Sequence, residues 1–78
     1  DSLAWYYFKV SNYEQANSLL SYASQLAPAD AVINEHYGDT LWKVGKYIEA
    51  RYQWNRALDL DPGIELTNKI KVKLLKGY

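Results

Sequence analysis

Apolar residues recur along this chain at three- and four-residue intervals, the spacing that gathers side chains onto one face of an α-helix. Tyr37, Leu41 and Val44 mark one run; Tyr47, Ala50, Trp54, Ala57, Leu58 and Leu60 mark the next, and Gly45-Lys46 breaks the pattern between them. Pro62 ends the second run. Leu66, Ile70 and Leu74 then form a narrower stripe, with Lys69, Lys71, Lys73 and Lys76 keeping the rest of that segment polar. Towards the start, Ser11-Asn12 separates two earlier helices. Asn12 suits an N-cap, and Gln15 three residues on completes a capping box. Asp30 and Asp61 are placed to cap the helices that follow them, and Pro62 suits a first helical turn. No β-type alternation or hairpin turn competes. The pattern predicts an all-α chain with helices near residues 2–10, 13–27, 31–44, 47–60 and 63–76.

A longer period underlies the short one. A shift of 34 residues lays Lys9-Val10 on Lys43-Val44, Tyr13 on Tyr47, Ala16 on Ala50, Ala23 on Ala57, Leu26 on Leu60 and Pro28 on Pro62. Ala4 with Gly38, Phe8 with Trp42, Ser11 with Gly45 and Leu20 with Trp54 keep size or character in the same register. Each copy reads helix, tight turn, helix. The small residues have a packing role: Ala4 and Gly38 admit a close helix from one side, and Ala16, Ala23, Ala50 and Ala57 from the other. Leu20 and Trp54 fill the space between successive pairs. The expected architecture is an α-hairpin solenoid.

Gly38, Leu41, Gly45, Tyr47, Ala50, Trp54, Ala57, Leu60 and Pro62 together resemble the signature of the tetratricopeptide repeat, whose period is 34 residues. The resemblance spans about 60 residues; it is close from Ala31 to Ile64 and weaker over the first copy, where Ala4 and Ser11 stand at usual glycine positions. It implies one domain: a truncated first repeat (1–28), a second repeat (31–62) and a capping helix (63–78) that closes the array with a polar outer face. Two and a bit repeats fall short of the three or so that such arrays need. With a start at Asp1 rather than Met, the chain is expected to be the C-terminal end of a longer array. The spread of aromatic residues also resembles bacterial proteins that end in such a pair.

Composition narrows the function. Three Trp, eight Tyr and one Phe make aromatic packing the main source of cohesion, since there is no cysteine for a disulfide or thiolate site. Nine basic and nine acidic residues cancel, which argues against nucleic acid as a partner. No apolar run reaches the roughly 20 residues of a membrane span, so no membrane insertion is expected. The compartment stays open, cytoplasmic or periplasmic.

Catalysis is not expected, and neither is a cofactor. His36 is the single histidine; with Glu35 and Asp39 beside it, it offers at most two aligned metal ligands where zinc wants three or four. Those three residues read as a solvated helical face. Gly45 and Gly63 are isolated turn glycines, not a phosphate loop. The lysines near the end of the chain favour a helix C-terminus and solubility.

The resemblance implies instead a concave groove, lined by the first helix of each pair, that holds a peptide or a partner's helix. Carried onto this sequence, the lining is Asp1, Ser2, Trp5, Phe8 and Lys9, then Val32, Glu35, His36, Asp39, Trp42 and Lys43, then Leu66, Lys69, Ile70, Lys73 and Lys76. Trp5, Phe8 and Trp42 are candidate anchors for an apolar side chain; Phe8 and Trp42 equally suit packing against neighbouring helices. Glu35 with Lys69, and Asp39 with Lys73, stand one repeat apart and are placed to bridge stacked helices. One subgroup of the family grips a terminal carboxylate with lysines, asparagines and an arginine. Here those positions hold Asp1, Trp5, Asp39, Leu66 and Ile70, so that clamp is not expected. An alternative to a foreign partner is self-association as a homo-oligomer, with Leu3, Tyr6 and Tyr7 on the first helix meeting a second copy.

Overall fold

Residues 2–78 are described by a computed structural model; Asp1, one of the groove positions implied by the resemblance, lies outside the described residues. Five helices follow one another: α1 Ser2–Lys9, α2 Tyr13–Leu26, α3 Ala31–Lys43, α4 Tyr47–Asp59 and α5 Ile64–Lys76. No strand occurs among the described residues. Each helix packs on the next in sequence, most extensively α3 on α4. The radius of gyration is 11.2 Å, close to the roughly 11.5 Å of a compact chain of this length, so the helices form a single body.

The 34-residue period is present in the backbone. At the end of α1, Ser11 N–H donates to Phe8 O at 3.0 Å and Asn12 N–H to Tyr7 O at 2.8 Å. At the end of α3, Gly45 N–H donates to Trp42 O at 3.0 Å and Lys46 N–H to Leu41 O at 2.9 Å. Both turns are Schellman closures, which require a left-handed residue after the helix. Gly45 supplies it at φ 86°, and Ser11, at the equivalent position, adopts φ 64°. These closures consume the last residue expected of each helix, so α1 and α3 stop one position short.

Side-chain capping explains the starts of α2 and α3. Asp30 accepts from Val32 N–H at 3.0 Å and Ile33 N–H at 3.2 Å, as expected of an N-cap. Asn12 accepts from Gln15 N–H at 3.4 Å, but its own N–H is taken by Tyr7 O. The reciprocal half of the capping box therefore does not form. Asp61 does not cap α5: it sits at φ 53°, Gly63 precedes the helix without a side-chain cap, and Pro62 lies outside the first turn.

The small residues fit their packing role. Ala4, Ala16, Ala50 and Ala57 have no exposed surface, and neither do Leu20 and Trp54. A Cβ on Gly38 would meet Trp54 Cδ1 and Nε1 at 2.5 Å and Ala50 O at 3.0 Å, so α3 and α4 approach as closely as they do because residue 38 has no side chain. Ala23 and Tyr13 are half-buried, and Tyr13 meets the edge of Phe8 at 5.4 Å. Pro28 is exposed, but its carbonyl accepts from Asn34 Nδ2 at 3.0 Å and Arg56 Nη2 at 3.1 Å, tying the α2–α3 connection to both following helices.

Helix α5 docks through Ile70, which joins Trp54 and Ala57 in the buried cluster, with Leu66 and Leu74 against it. Its outer face is less polar than the lysine spacing suggests. Leu75 is 82% exposed, and Val72 and Ile64 are exposed as well. Lys73 turns inward rather than to solvent.

Candidate functional site

One face of the molecule carries residues from α1, α3 and α5. Trp5 and Phe8, one turn apart on α1, stack with centroids 4.4 Å apart. Trp5 also stacks on His36 of α3, at 3.7 Å and 8°. Three nearly parallel rings thus join the first helix to the third. This stack is the contact that fixes α1 on this side, since offset and stacked aromatic pairs add about 0.5–1.5 kcal/mol beyond their burial.

Beneath the rings lies a charge cluster. Lys73 Nζ of α5 reaches Glu35 Oε2 at 2.7 Å and Asp39 Oδ1 and Oδ2 at 2.8 and 3.0 Å. Asp39 Oδ1 also accepts from Trp54 Nε1 at 3.0 Å. Glu35 and Asp39 are 5% and 1% exposed, so they are not the solvated face expected from the sequence. Glu35 pairs with Lys73 and not with Lys69, which remains exposed; the Asp39–Lys73 bridge forms as expected.

Burial shapes the protonation of this cluster. Desolvation raises Asp39 to about 6, against the pull of Lys73. Burial would lower Lys73, but its contacts with Asp39 and Glu35 outweigh it and leave the ammonium above its ordinary range. His36 is lowered to about 4, chiefly by burial, so the ring under Trp5 is neutral at pH 7. Its buried Nδ1 has no hydrogen-bond partner among the described residues, and Nε2 lies 3.8 Å from Glu35 Oε1.

Trp42 is taken up by packing. It lies 5.6 Å from Trp54 and 4.4 Å from Tyr47, with Arg51 5.6 Å above its ring. Ile70 is fully buried and so does not line a groove. Ser2, Lys9, Lys43 and Lys76 are exposed. Between the start of α3 and the α4–α5 connection lies an open cleft of about 510 Å³, bordered by Val32, Glu35, His36, Pro62, Gly63, Ile64, Glu65, Leu66 and Lys69. The groove residues therefore divide into a buried charge cluster, an aromatic stack and this cleft.

Two participants were not expected from the sequence. Tyr78 meets Phe8 edge-on at 5.5 Å, with Lys43 Nζ and Lys73 Nζ 4.9 and 5.1 Å from its centroid. Arg51 donates from Nη1 to Leu74 O at 2.5 Å, tying α4 to the end of α5. Tyr78 falls one period after Val44, a position the repeat pattern treats as helix-end packing, and nothing in that pattern points it back across the face.

Among the described residues no group of three or more His, Asp or Glu is placed to hold a metal ion, and no helix is long and apolar enough to cross a membrane. Comparison with known protein families, characterised proteins and solved structures finds no match.

Proposed function

We propose that this chain is a protein–protein interaction module of the tetratricopeptide-repeat kind, which holds a peptide or helix along the face built by α1, α3 and α5. The observation that carries the reading is the open cleft, where exposed Val32 and Ile64 and half-buried Leu66 lie beside Lys69. Apolar walls with Lys69 and Glu65 at the rim suit an apolar side chain flanked by polar or charged groups of either sign. The 34-residue recurrence of both turns and the close α3–α4 approach at Gly38 support the repeat assignment.

Catalysis has no part in this reading. His36 is stacked under Trp5, and the carboxylates of Glu35 and Asp39 are committed to Lys73. No cofactor is invoked.

The test is selection of binding peptides from a random library, followed by Ile64→Lys and Lys69→Glu variants. Both side chains are exposed, so helicity should survive while peptide binding falls at least tenfold. Peptides that bind both variants as well as the parent would show that the cleft is not the site. Trp42→Ala is unsuitable here, because Trp42 supports α4 and α5.

A second reading is self-association. Leu3 and Tyr6 on α1 and Val10 just after it are 55%, 58% and 54% exposed. Their equivalents one period on, Tyr37, Thr40 and Val44, are buried or half-buried between α2 and α4. The α1 surface therefore has the composition of a covered one. Light scattering across a wide concentration range tests this: a dimer that Leu3→Glu and Tyr6→Glu dissociate supports it, and a monomer at every concentration rejects it.

A further inference from the structure

After α5 the chain turns back across the same face. Gly77, at φ 84°, donates its N–H to Lys73 O at 2.7 Å and lies against Trp42, where a Cβ would overlap the ring. Only glycine permits that approach. It delivers Tyr78 to Phe8 of α1, Lys43 of α3 and Lys73 of α5.

The contact differs from core packing. Tyr78 stays 46% exposed, and its ring is held by two ammonium groups within cation–π range and by one edge contact with Phe8. Lys43 forms no ion pair among the described residues, so this ring is the partner its charge has found. Such contacts depend on an electron-rich ring and tolerate exchange of one ring for another.

We propose that Phe8, Lys43 and Lys73 form a recognition slot for an electron-rich aromatic side chain, Tyr or Trp, of a partner polypeptide, and that Tyr78 occupies it as a tethered competitor. The proposal rests on the reading of this face as a binding groove and names a residue class it takes. Lys43, exposed and 4.9 Å from the ring centroid, favours an acidic residue flanking that aromatic. Two cation–ring contacts keep a tethered ring in place for roughly nine molecules in ten. An external ring then meets an apparent dissociation constant raised roughly tenfold.

The experiment titrates a blocked Asp-Gly-Tyr-Gly-Asp peptide into the isotopically labelled chain, followed by NMR. The full chain and its Tyr78→Ala variant are compared, with helicity checked by circular dichroism. The expected result is binding roughly tenfold tighter to the Tyr78→Ala chain, with shifts at Phe8, Lys43 and Lys73 that Lys43→Gln reverses. Equal affinity for both chains, or no shifts at those residues, overturns the proposal. Random-coil shifts for the Tyr78 ring in the intact chain overturn it too. The outcomes are separable: peptides indifferent to Ile64 and Lys69 sink the cleft and leave the slot, whereas unchanged affinity after Tyr78→Ala sinks the slot and leaves the cleft.

Discussion

Lys73 donates to both carboxylate oxygens of Asp39, at 2.8 and 3.0 Å, across a separation of 34 residues in the chain. One period of the repeat thus brings an acid and a base together at equivalent positions of α3 and α5, and Trp5 holds the same position on α1. The third partner, Glu35, gives the cluster two carboxylates for one ammonium. Because the side chains of Glu35 and Asp39 keep only 7% and 2% of their surface, this is a buried arrangement whose balance depends on every member being present.

Lys73→Met should therefore destabilise the fold by about 3 kcal/mol, the low end for breaking a buried pair, since Lys73 itself keeps some solvent contact. The loss reflects two carboxylates left without a cation more than the worth of the bridge. The triple variant Lys73→Met, Asp39→Asn, Glu35→Gln should recover most of it. Urea unfolding of the two variants measures the difference. A single variant as stable as the parent would mean that water reaches the carboxylates.

Gly38→Ala is expected to destabilise by about 1–3 kcal/mol, although alanine favours a helix by about 1 kcal/mol over glycine. The overlap at 2.5 Å falls on Trp54, which is fully buried and tied by Nε1 to Asp39, so the ring has little freedom to give way. Thermal unfolding monitored by tryptophan fluorescence reads the effect. A higher midpoint for the alanine variant would show that the α3–α4 packing relaxes readily.

Much of this architecture was legible before any coordinates. Five helices, the close approach at Gly38 and the Asp39–Lys73 bridge all follow from two periodicities, because helix packing and a translational repeat act on spacing alone. The site was less legible for a different reason. Spacing shows which residues share a face but not how deep that face lies, so Glu35 and Asp39 read as solvated although they are buried. Lys69 and Lys73 are likewise indistinguishable by charge, and only the docking of α5 through Ile70 turns one inward. Tyr78 depends on the left-handed turn at Gly77, a three-dimensional event with no periodic signature.

Ser11→Gly should stabilise the chain by about 0.5 kcal/mol. A left-handed serine costs about 1–2 kcal/mol, and glycine gives back part of that gain through greater freedom in the unfolded state. Ser11 sits at φ 64° in the turn where Gly45 serves at the equivalent position. Its hydroxyl receives only a long 3.4 Å contact from Tyr13 on the surface, so little is lost with the side chain. Chemical denaturation of the two proteins settles the sign, and a lower midpoint for the glycine variant would mean that unfolded-chain entropy dominates.

The pH dependence of stability should be nearly flat where two buried groups oppose each other. Asp39 titrates at about 6 in the folded chain against an ordinary 3.8, so the folded state holds its proton more tightly. Its contribution to stability is complete below the lower value and lost as pH rises through the higher one. His36 titrates at about 4 against an ordinary 6.5, so the folded state resists its proton. That contribution is complete above the higher value and lost as pH falls towards the lower one. Lys73, held above its ordinary range by the two carboxylates, stays charged throughout this window. Single substitutions separate the two effects. Asp39→Asn should leave a protein whose urea midpoint falls between pH 6.5 and pH 4.5, because only the histidine penalty remains. His36→Gln should leave one whose midpoint rises over the same interval, because only proton uptake by Asp39 remains. Two variants that shift in the same direction would show that Asp39 and His36 do not govern stability in this range.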